Sequence, residues 1–286
     1  MGRKSGDRLF MWAGGKARMI PHYEPLLTEE IRALPYVEPF AGGAAMFQHL
    51  GSEGSPDAVL SDLNAELIGL YRLVQVDPEF LVERMTELEA RWMALDTPAR
   101  KAEYYRLREA YWGTPEGPEA TTLLYFLMRT GFNGIWQTCK ASKGRFGTPV
   151  GLANQKTAVF DPEVVRTWSR RLARTDIRCG SYNEIRVQRP SFVFCDPPYR
   201  DSFTSYGTAF DDAAQIRLID WCREQAKETG STVWLCNRDA GDGFFETHAP
   251  DAVLHRFPIT YTAGRRKRTE AGFEAKPATE LLLRWM

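Results

Sequence analysis

The run Ser191-Phe-Val-Phe-Cys-Asp196 constrains this chain more than any other feature. Its apolar residues are consecutive rather than alternating, so both faces of the strand they form must be covered. Pro197 and Pro198 stop the run abruptly, because neither can donate to a sheet ladder. A short strand of this kind belongs inside a sheet with helices packed on it.

The rest of the sequence supplies such a sheet and such helices. Residues 35–47, Pro-Tyr-Val-Glu-Pro-Phe-Ala-Gly-Gly-Ala-Ala-Met-Phe, read as a short strand, a Gly turn and a helix starting near Ala44. Ala58-Val-Leu-Ser-Asp62 is a second short strand, and the helix-compatible stretch Asn64–Val76 follows it. Residues 78–112 are rich in Glu, Arg, Leu and Ala with apolar residues three to four apart, which predicts amphipathic helix. Residues 113–118 break that pattern, 120–129 read as another helix, and 131–151 form a Gly-rich, basic, aromatic loop or hairpin. After Ser191–Asp196 come a helix over 213–229, a strand over 231–236 and a final strand over 280–285. Strands alternating with helices predict an α/β fold around a parallel sheet. The strand-poor middle third reads as an inserted second region.

Charge is sorted along the chain in a way the total conceals. The 286 residues hold 37 Lys and Arg against 37 Asp and Glu, a net charge of zero. Residues 1–23 carry five basic and one acidic residue, and residues 24–119 carry eight and eighteen. Residues 120–160 contain no acid, and Arg129, Lys140, Lys143, Arg145 and Lys156 give that stretch a charge of +5. Residues 252–269 are also free of acid and include the run Arg265-Arg266-Lys267-Arg268. Such clusters are solvated loops in many proteins, and they are also what a polyanion partner requires. The five cysteines form no C-x-x-C pair, which predicts a reduced, cytosolic protein with no metal site. No apolar run reaches the length of a membrane span, and the polar N-terminus predicts no signal peptide.

Three motifs carry chemistry. Asp196-Pro197-Pro198-Tyr199 closes a strand at its carboxyl end, where open α/β sheets bind ligands. Its rigid carbonyls, carboxylate and flat ring can grip an exocyclic amino group and stack on a planar base; equally, Asp-Pro-Pro is a rigid turn after a strand. Glu38-Pro-Phe40-Ala41-Gly42-Gly43 lets a ligand approach the backbone, but lacks the G-x-G-x-x-G spacing of a dinucleotide site. Asp62 is placed either to accept hydrogen bonds from ribose hydroxyls or to cap the next helix. Trp12-Ala-Gly-Gly-Lys16 offers a point charge for a carboxylate, and a solvated terminal lysine is the alternative.

The order of these motifs resembles that of the Dam-like DNA adenine-N6 methyltransferases (D12 class, alpha group). The resemblance extends to Ser61-Asp-Leu-Asn64, Glu103-Tyr-Tyr105, Phe132-Asn-Gly134, Phe146, Pro149-Val-Gly151, Ser202-Phe-Thr-Ser-Tyr206, Cys236-Asn237 and Thr279-Glu-Leu-Leu282. It implies a Rossmann-like methyltransferase sheet with helices on both faces, formed by residues 1–71 and 156–286. Residues 72–155 would be a mainly helical inserted target-recognition region. The implied cofactor is S-adenosyl-L-methionine, held by Trp12, Lys16, Glu38, Phe40, Ala41, Gly42, Gly43, Asp62, Tyr182 and Asp196. Ser181 stands where relatives often carry Asp.

The implied reaction is methyl transfer to N6 of an adenine flipped out of double-stranded DNA, with Asp196, Pro197, Pro198 and Tyr199 at the reacting base. Arg129, Asn133, Ile135, Trp136, Gln137, Lys140, Lys143 and Arg145 are the implied DNA contacts. For Trp136, packing within the loop is an equal alternative. Family members that read GATC carry Arg where this chain has Gln137; Arg suits guanine and Gln suits adenine, so GATC is doubtful. Gly147 stands where relatives carry Asn. The resemblance also implies a cytoplasmic, nucleoid-associated enzyme without membrane or metal, and leaves room for a cognate restriction endonuclease. N-methylation of RNA or a protein amide, and DNA binding without catalysis, are the competing functions.

Overall fold

A computed structural model describes residues 8–51, 57–151, 158–187, 189–200, 210–261, 267–269, 272–274 and 276–286. Its strands form a mixed seven-stranded sheet and a separate two-stranded ribbon. In chain order the strands are β1 (Tyr36–Glu38), β2 (Ala58–Asp62), β3 (Thr175–Cys179), β4 (Phe192–Cys195), β5 (Thr232–Asp239), β6 (Val253–Tyr261), β7 (Lys267–Thr269), β8 (Gly272–Glu274) and β9 (Lys276–Trp285). The large sheet has the order β3-β2-β1-β4-β5-β9-β6. The α/β class expected from the sequence is the class observed.

The chain divides into two compact units. One takes the chain up to Ile20 and Ala41–Tyr182; the other takes Pro21–Phe40 and everything from Asn183 on. In the first unit β2 and β3 pair in parallel, Ala58 opposite Thr175 and Asp62 opposite Cys179. The helix α1 (Ala65–Val76) follows β2 and is capped by Asn64, whose Oδ1 accepts the Leu67 N–H at 3.0 Å. It packs on α2 (Pro162–Leu172), where Tyr71 stacks on Trp168 with centroids 5.9 Å apart. The guanidinium of Arg72 donates to the Ile177 carbonyl at 2.9 Å, occupying an acceptor on the edge strand β3.

Three further helices of this unit, spanning Pro78–Met93, Thr97–Gly113 and Pro118–Thr130, account for most of the expected insertion. The amphipathic stretch 78–112 is therefore two helices rather than one. Asp96 caps the second by accepting the Ala99 N–H at 2.9 Å, and Pro98 fits its first turn because no N–H is needed there. The expected boundary after residue 71 falls inside α1, which runs unbroken to Val76; the boundary at 155 and 156 lies outside the described residues.

In the second unit β1 pairs in parallel with β4, Tyr36 opposite Phe192, and β4 pairs in parallel with β5. All four residues of β4 are buried, as consecutive apolar residues require. The last strand, β9, lies antiparallel between β5 and β6. The helix α3 (Asp212–Thr229) packs against β5 and β9. Trp234, Phe192 and Tyr23 form the aromatic centre, with the Phe192 and Trp234 rings 5.0 Å apart edge to face. β6 carries Pro258 and sits at the sheet edge, a place where a missing N–H is tolerated. Among the described residues no helix is long and apolar enough to cross a membrane.

Candidate active site

β4 delivers Asp196-Pro197-Pro198-Tyr199 to the carboxyl end of the sheet, next to the end of β1. The two prolines contribute no N–H, so each offers only its carbonyl as an acceptor. The Pro198 carbonyl accepts from Gln215 Nε2 at 2.9 Å, and Gln215 Oε1 accepts from Asn237 Nδ2 at 3.0 Å. Both amides are fully buried. Asn237 Oδ1 in turn accepts the backbone N–H of Arg200 at 3.2 Å and of Arg238 at 2.9 Å.

Tyr199 donates its hydroxyl to Glu280 Oε1, a buried carboxylate on β9. Burial, reinforced by the negative charges of Asp196 and Glu280, pushes the Tyr199 phenol well above its ordinary range. Arg200 closes the turn with a bidentate pair to Asp212 at 2.6 and 3.0 Å and a further bond to Asp242 at 2.5 Å. Its guanidinium also lies 4.0 Å from the centre of the Phe244 ring. Glu38, at the end of β1, is buried, and Phe40 meets Phe210 edge-on at 6.1 Å.

The other unit holds Trp12, Lys16, Ala41, Gly42, Gly43, Asp62 and Tyr182. Asp62 accepts the Gly42 N–H on Oδ2 and the Asn64 N–H on Oδ1, both at 2.9 Å. It therefore pins the Gly-Gly turn, while the helix cap falls to Asn64. Burial raises the Asp62 carboxyl above the usual carboxylate range, against the lowering effect of the backbone N–H groups of Asn64, Gly42 and Leu63. Gly42 has a φ of +45°, and a Cβ there would lie 2.7 Å from Trp12 Nε1. The indole thus rests directly on the glycine turn, with Tyr71 donating its hydroxyl to the Gly42 carbonyl at 2.8 Å. Lys16 is buried, with its ammonium 3.3 Å from the Gly14 carbonyl. Tyr182 opens a short turn shortly after β3 and is partly exposed.

The 131–151 loop is stapled rather than loose. Gly131 and Val150 close it with an antiparallel bridge. Tyr104 donates to the Thr148 carbonyl at 2.8 Å, Arg108 to Gly147 at 2.9 Å and Trp112 to Phe146 at 2.9 Å. Arg145 pairs with Glu66 at 2.8 Å, donates to the carbonyls of Tyr111 and Thr114, and lies over the Tyr111 ring. Arg129 donates to the carbonyls of Val159 at 2.7 Å and Leu9 at 3.2 Å. In both arginines, expected among the DNA contacts, Nε and Nη1 already donate to protein acceptors. Trp136 is buried between Trp12 and Phe146, so its packing alternative is the one observed. Asn133, Lys140 and Lys143 are exposed, while Ile135 and Gln137 are partly exposed. Asn133 holds a left-handed φ of 52°.

Comparison with known proteins decides the family. A family model described as D12 class N6 adenine-specific DNA methyltransferase matches residues 12–258. The chain belongs to that family. The Type II methyltransferase M.MjaIII of Methanocaldococcus jannaschii is 32% identical over 242 residues, covering 79% of this chain and 82% of its own. A DNA adenine methylase of Vibrio cholerae is 30% identical, covering 82% of each. The Retron Ec67 DNA adenine methylase of Escherichia coli is 27% identical over 280 residues, covering 96% of this chain and 90% of its own.

For a D12 class methyltransferase, the residues that sequence reasoning missed are those behind the Asp-Pro-Pro-Tyr turn. Gln215 had a readable signal: it stands on the buried stripe of α3 with Leu218, Ile219 and Cys222, where an unpaired amide would be costly. Glu280 and Asn237 lay inside motifs noted for resemblance alone. The Ser202–Tyr206 motif, Lys156, Arg265 and Arg266 fall outside the described residues.

Proposed function

We propose that this adenine-N6 DNA methyltransferase takes its methyl group from S-adenosylmethionine and delivers it to an adenine swung out of a DNA duplex. The acceptor turn carries the reading, because Asp196 and the Pro197 carbonyl offer two fixed acceptors with a flat ring beside them. Adenine N6 is a weak nucleophile, since its lone pair is delocalised into the ring. When Asp196 and the Pro197 carbonyl accept its two hydrogens, density returns to nitrogen and the lone pair acquires a direction. Orientation and electrostatic stabilisation are then the enzyme's main contributions. Extruding the base costs a few kcal/mol. Stacking on Tyr199 offsets about 1–3 kcal/mol of that.

The residues present fit the methyl donor. Each Asp62 oxygen takes one backbone N–H and keeps acceptor capacity for a ribose hydroxyl. Trp12, Lys16, Ala41, Gly42, Gly43 and Tyr182 would complete the donor side. When bound, the donor supplies an electrophilic methyl group on a sulfonium. Lys140 and Lys143 would neutralise phosphates, and Asn133, Ile135 and Gln137 would face the bases. An enzyme acting on chromosomal DNA would work in the cytoplasm at the nucleoid, and a cognate restriction endonuclease is a candidate partner.

The test is direct. Duplex DNA incubated with labelled S-adenosylmethionine should gain N6-methyladenine, and Asp196→Ala should abolish the gain. Absence of product from wild type, or an Asp196→Ala variant as active as wild type, overturns the reading. Modification-sensitive sequencing of DNA from an expressing host then gives the recognition site.

A further inference from the structure

The aim of the catalytic turn depends on which of its carbonyls is already occupied. Neither proline has an N–H to donate, so each proline carbonyl takes a donor from elsewhere or remains available to a substrate. The Pro198 carbonyl has its donor in Gln215 Nε2 at 2.9 Å. A glutamine amide can face either way, and the reverse orientation would set its oxygen against the Pro198 oxygen. Asn237 prevents this, because its Nδ2 donates to Gln215 Oε1 at 3.0 Å. Asn237 is itself fixed, since its Oδ1 accepts the N–H groups of Arg200 and Arg238, which can only donate. Orientation thus passes from backbone to Asn237, from Asn237 to Gln215, and from Gln215 to the turn. Both side chains are fully buried, so water cannot substitute for a missing link.

We propose that Gln215 and Asn237 are positioning residues for methyl transfer, an amide relay that occupies the Pro198 carbonyl and so directs the Pro197 carbonyl and Asp196 carboxylate at the adenine amino group. The inference rests on the reaction proposed above. Neither residue touches the base; they act through the turn alone. Their loss should therefore slow the chemical step while leaving both substrates bound.

Isosteric variants test the relay. Gln215→Glu keeps the shape but exchanges the donor for a carboxylate, which can bond the Pro198 carbonyl only when protonated. Its kcat should fall as pH rises across a range where wild type is flat, and recover on acidification. Gln215→Leu should lose kcat by about 10- to 100-fold at every pH, the scale of a misplaced reacting group. Its KM for DNA and its affinity for S-adenosylmethionine should stay within a few-fold of wild type. Asn237→Asp cannot donate to Gln215 and frees that amide to turn, so it should lose kcat similarly. Combining Asn237→Asp with Gln215→Leu should cost little more than either alone.

The assay uses labelled S-adenosylmethionine and DNA lacking adenine methylation, and thermal melts confirm that each variant folds. A folded Gln215→Leu within twofold of wild-type kcat overturns the proposal, as does a Gln215→Glu variant with the wild-type pH profile. Wild type without product overturns the reaction itself, a result distinct from both.

Discussion

The phenol of Tyr199 donates to the carboxylate of Glu280, so the ring proposed to stack on the base is held from β9. Glu280→Gln retains an oxygen acceptor and should keep most of the activity. Glu280→Leu leaves a hydroxyl without its acceptor, at a cost of about 1–3 kcal/mol. Denaturant unfolding measures that loss, and steady-state kinetics should show a larger fall in kcat than in DNA affinity. Equal kinetics for the two variants would remove Glu280 from the site.

Asp62 gives the proposed donor side a pH dependence. Its carboxyl lies above the ordinary value of about 3.9, so the folded protein takes up this proton before the unfolded chain does. A raised acid contributes stability below the unfolded value and loses that contribution as pH rises. Donor binding runs the other way, because a protonated Asp62 accepts fewer hydrogen bonds. Affinity for S-adenosylmethionine, measured by calorimetry, should weaken on acidification before an ordinary aspartate titrates. A flat response down to that range would show that Asp62 does not contact the donor.

Tyr23, Tyr36 and Tyr199 all have phenols held well above the usual value near 10, each chiefly by burial. The folded state keeps these protons while the unfolded chain releases them. Their contribution is complete below about pH 10 and disappears progressively above it. Stability should therefore fall steeply in alkali, and tyrosinate absorbance should rise together with unfolding rather than ahead of it.

Gly42→Ala sets a Cβ 2.7 Å from the Trp12 indole nitrogen at a φ of +45°. The left-handed backbone alone costs about 1–2 kcal/mol. Trp12 must also move, so the variant should melt earlier and bind the donor more weakly. Adding Trp12→Ala should restore part of the stability, since only the backbone strain then remains.

Lys140 and Lys143 are exposed on the stapled loop, whereas Arg145 is bound into it. Lys140→Ala and Lys143→Ala should each lower the salt slope of DNA binding by about 0.9 while leaving the melt unchanged. Arg145→Ala should do the reverse and destabilise the protein, because it removes the positive charge paired with Glu66 and the donor to the Tyr111 and Thr114 carbonyls. Gln137→Arg should change which sites are methylated more than how fast.

Much of this could be read from the residues. The bounds of β2 and the buried character of β4 followed from short apolar runs, and the Asn64–Val76 helix was bounded by its cap. β3 escaped because Asp176 and Arg178 make an exposed alternation on an edge strand, and β6 because His255, Arg256 and Pro258 disguise it. Within the candidate site the turns were legible and their supports were not. Arg145, expected among the DNA contacts, pairs with Glu66, which is distant in sequence. Spacing along a chain cannot announce such a partner, whereas a polar residue on an apolar helix stripe can, as Gln215 illustrates.

The loop closed by the bridge from Gly131 to Val150 divides into inward and outward side chains, the two jobs of the proposed recognition segment. Shape is underwritten by inward residues, among them Arg145, Trp136 and Phe146, whose replacement would collapse the frame. Asn133, Gln137, Lys140 and Lys143 contribute little to that frame through their side chains, so exchanging them leaves its folding nearly untouched. On the proposed reading of these residues as DNA contacts, a lineage carrying this scaffold drifts between target sequences one side chain at a time, remaining folded at each step.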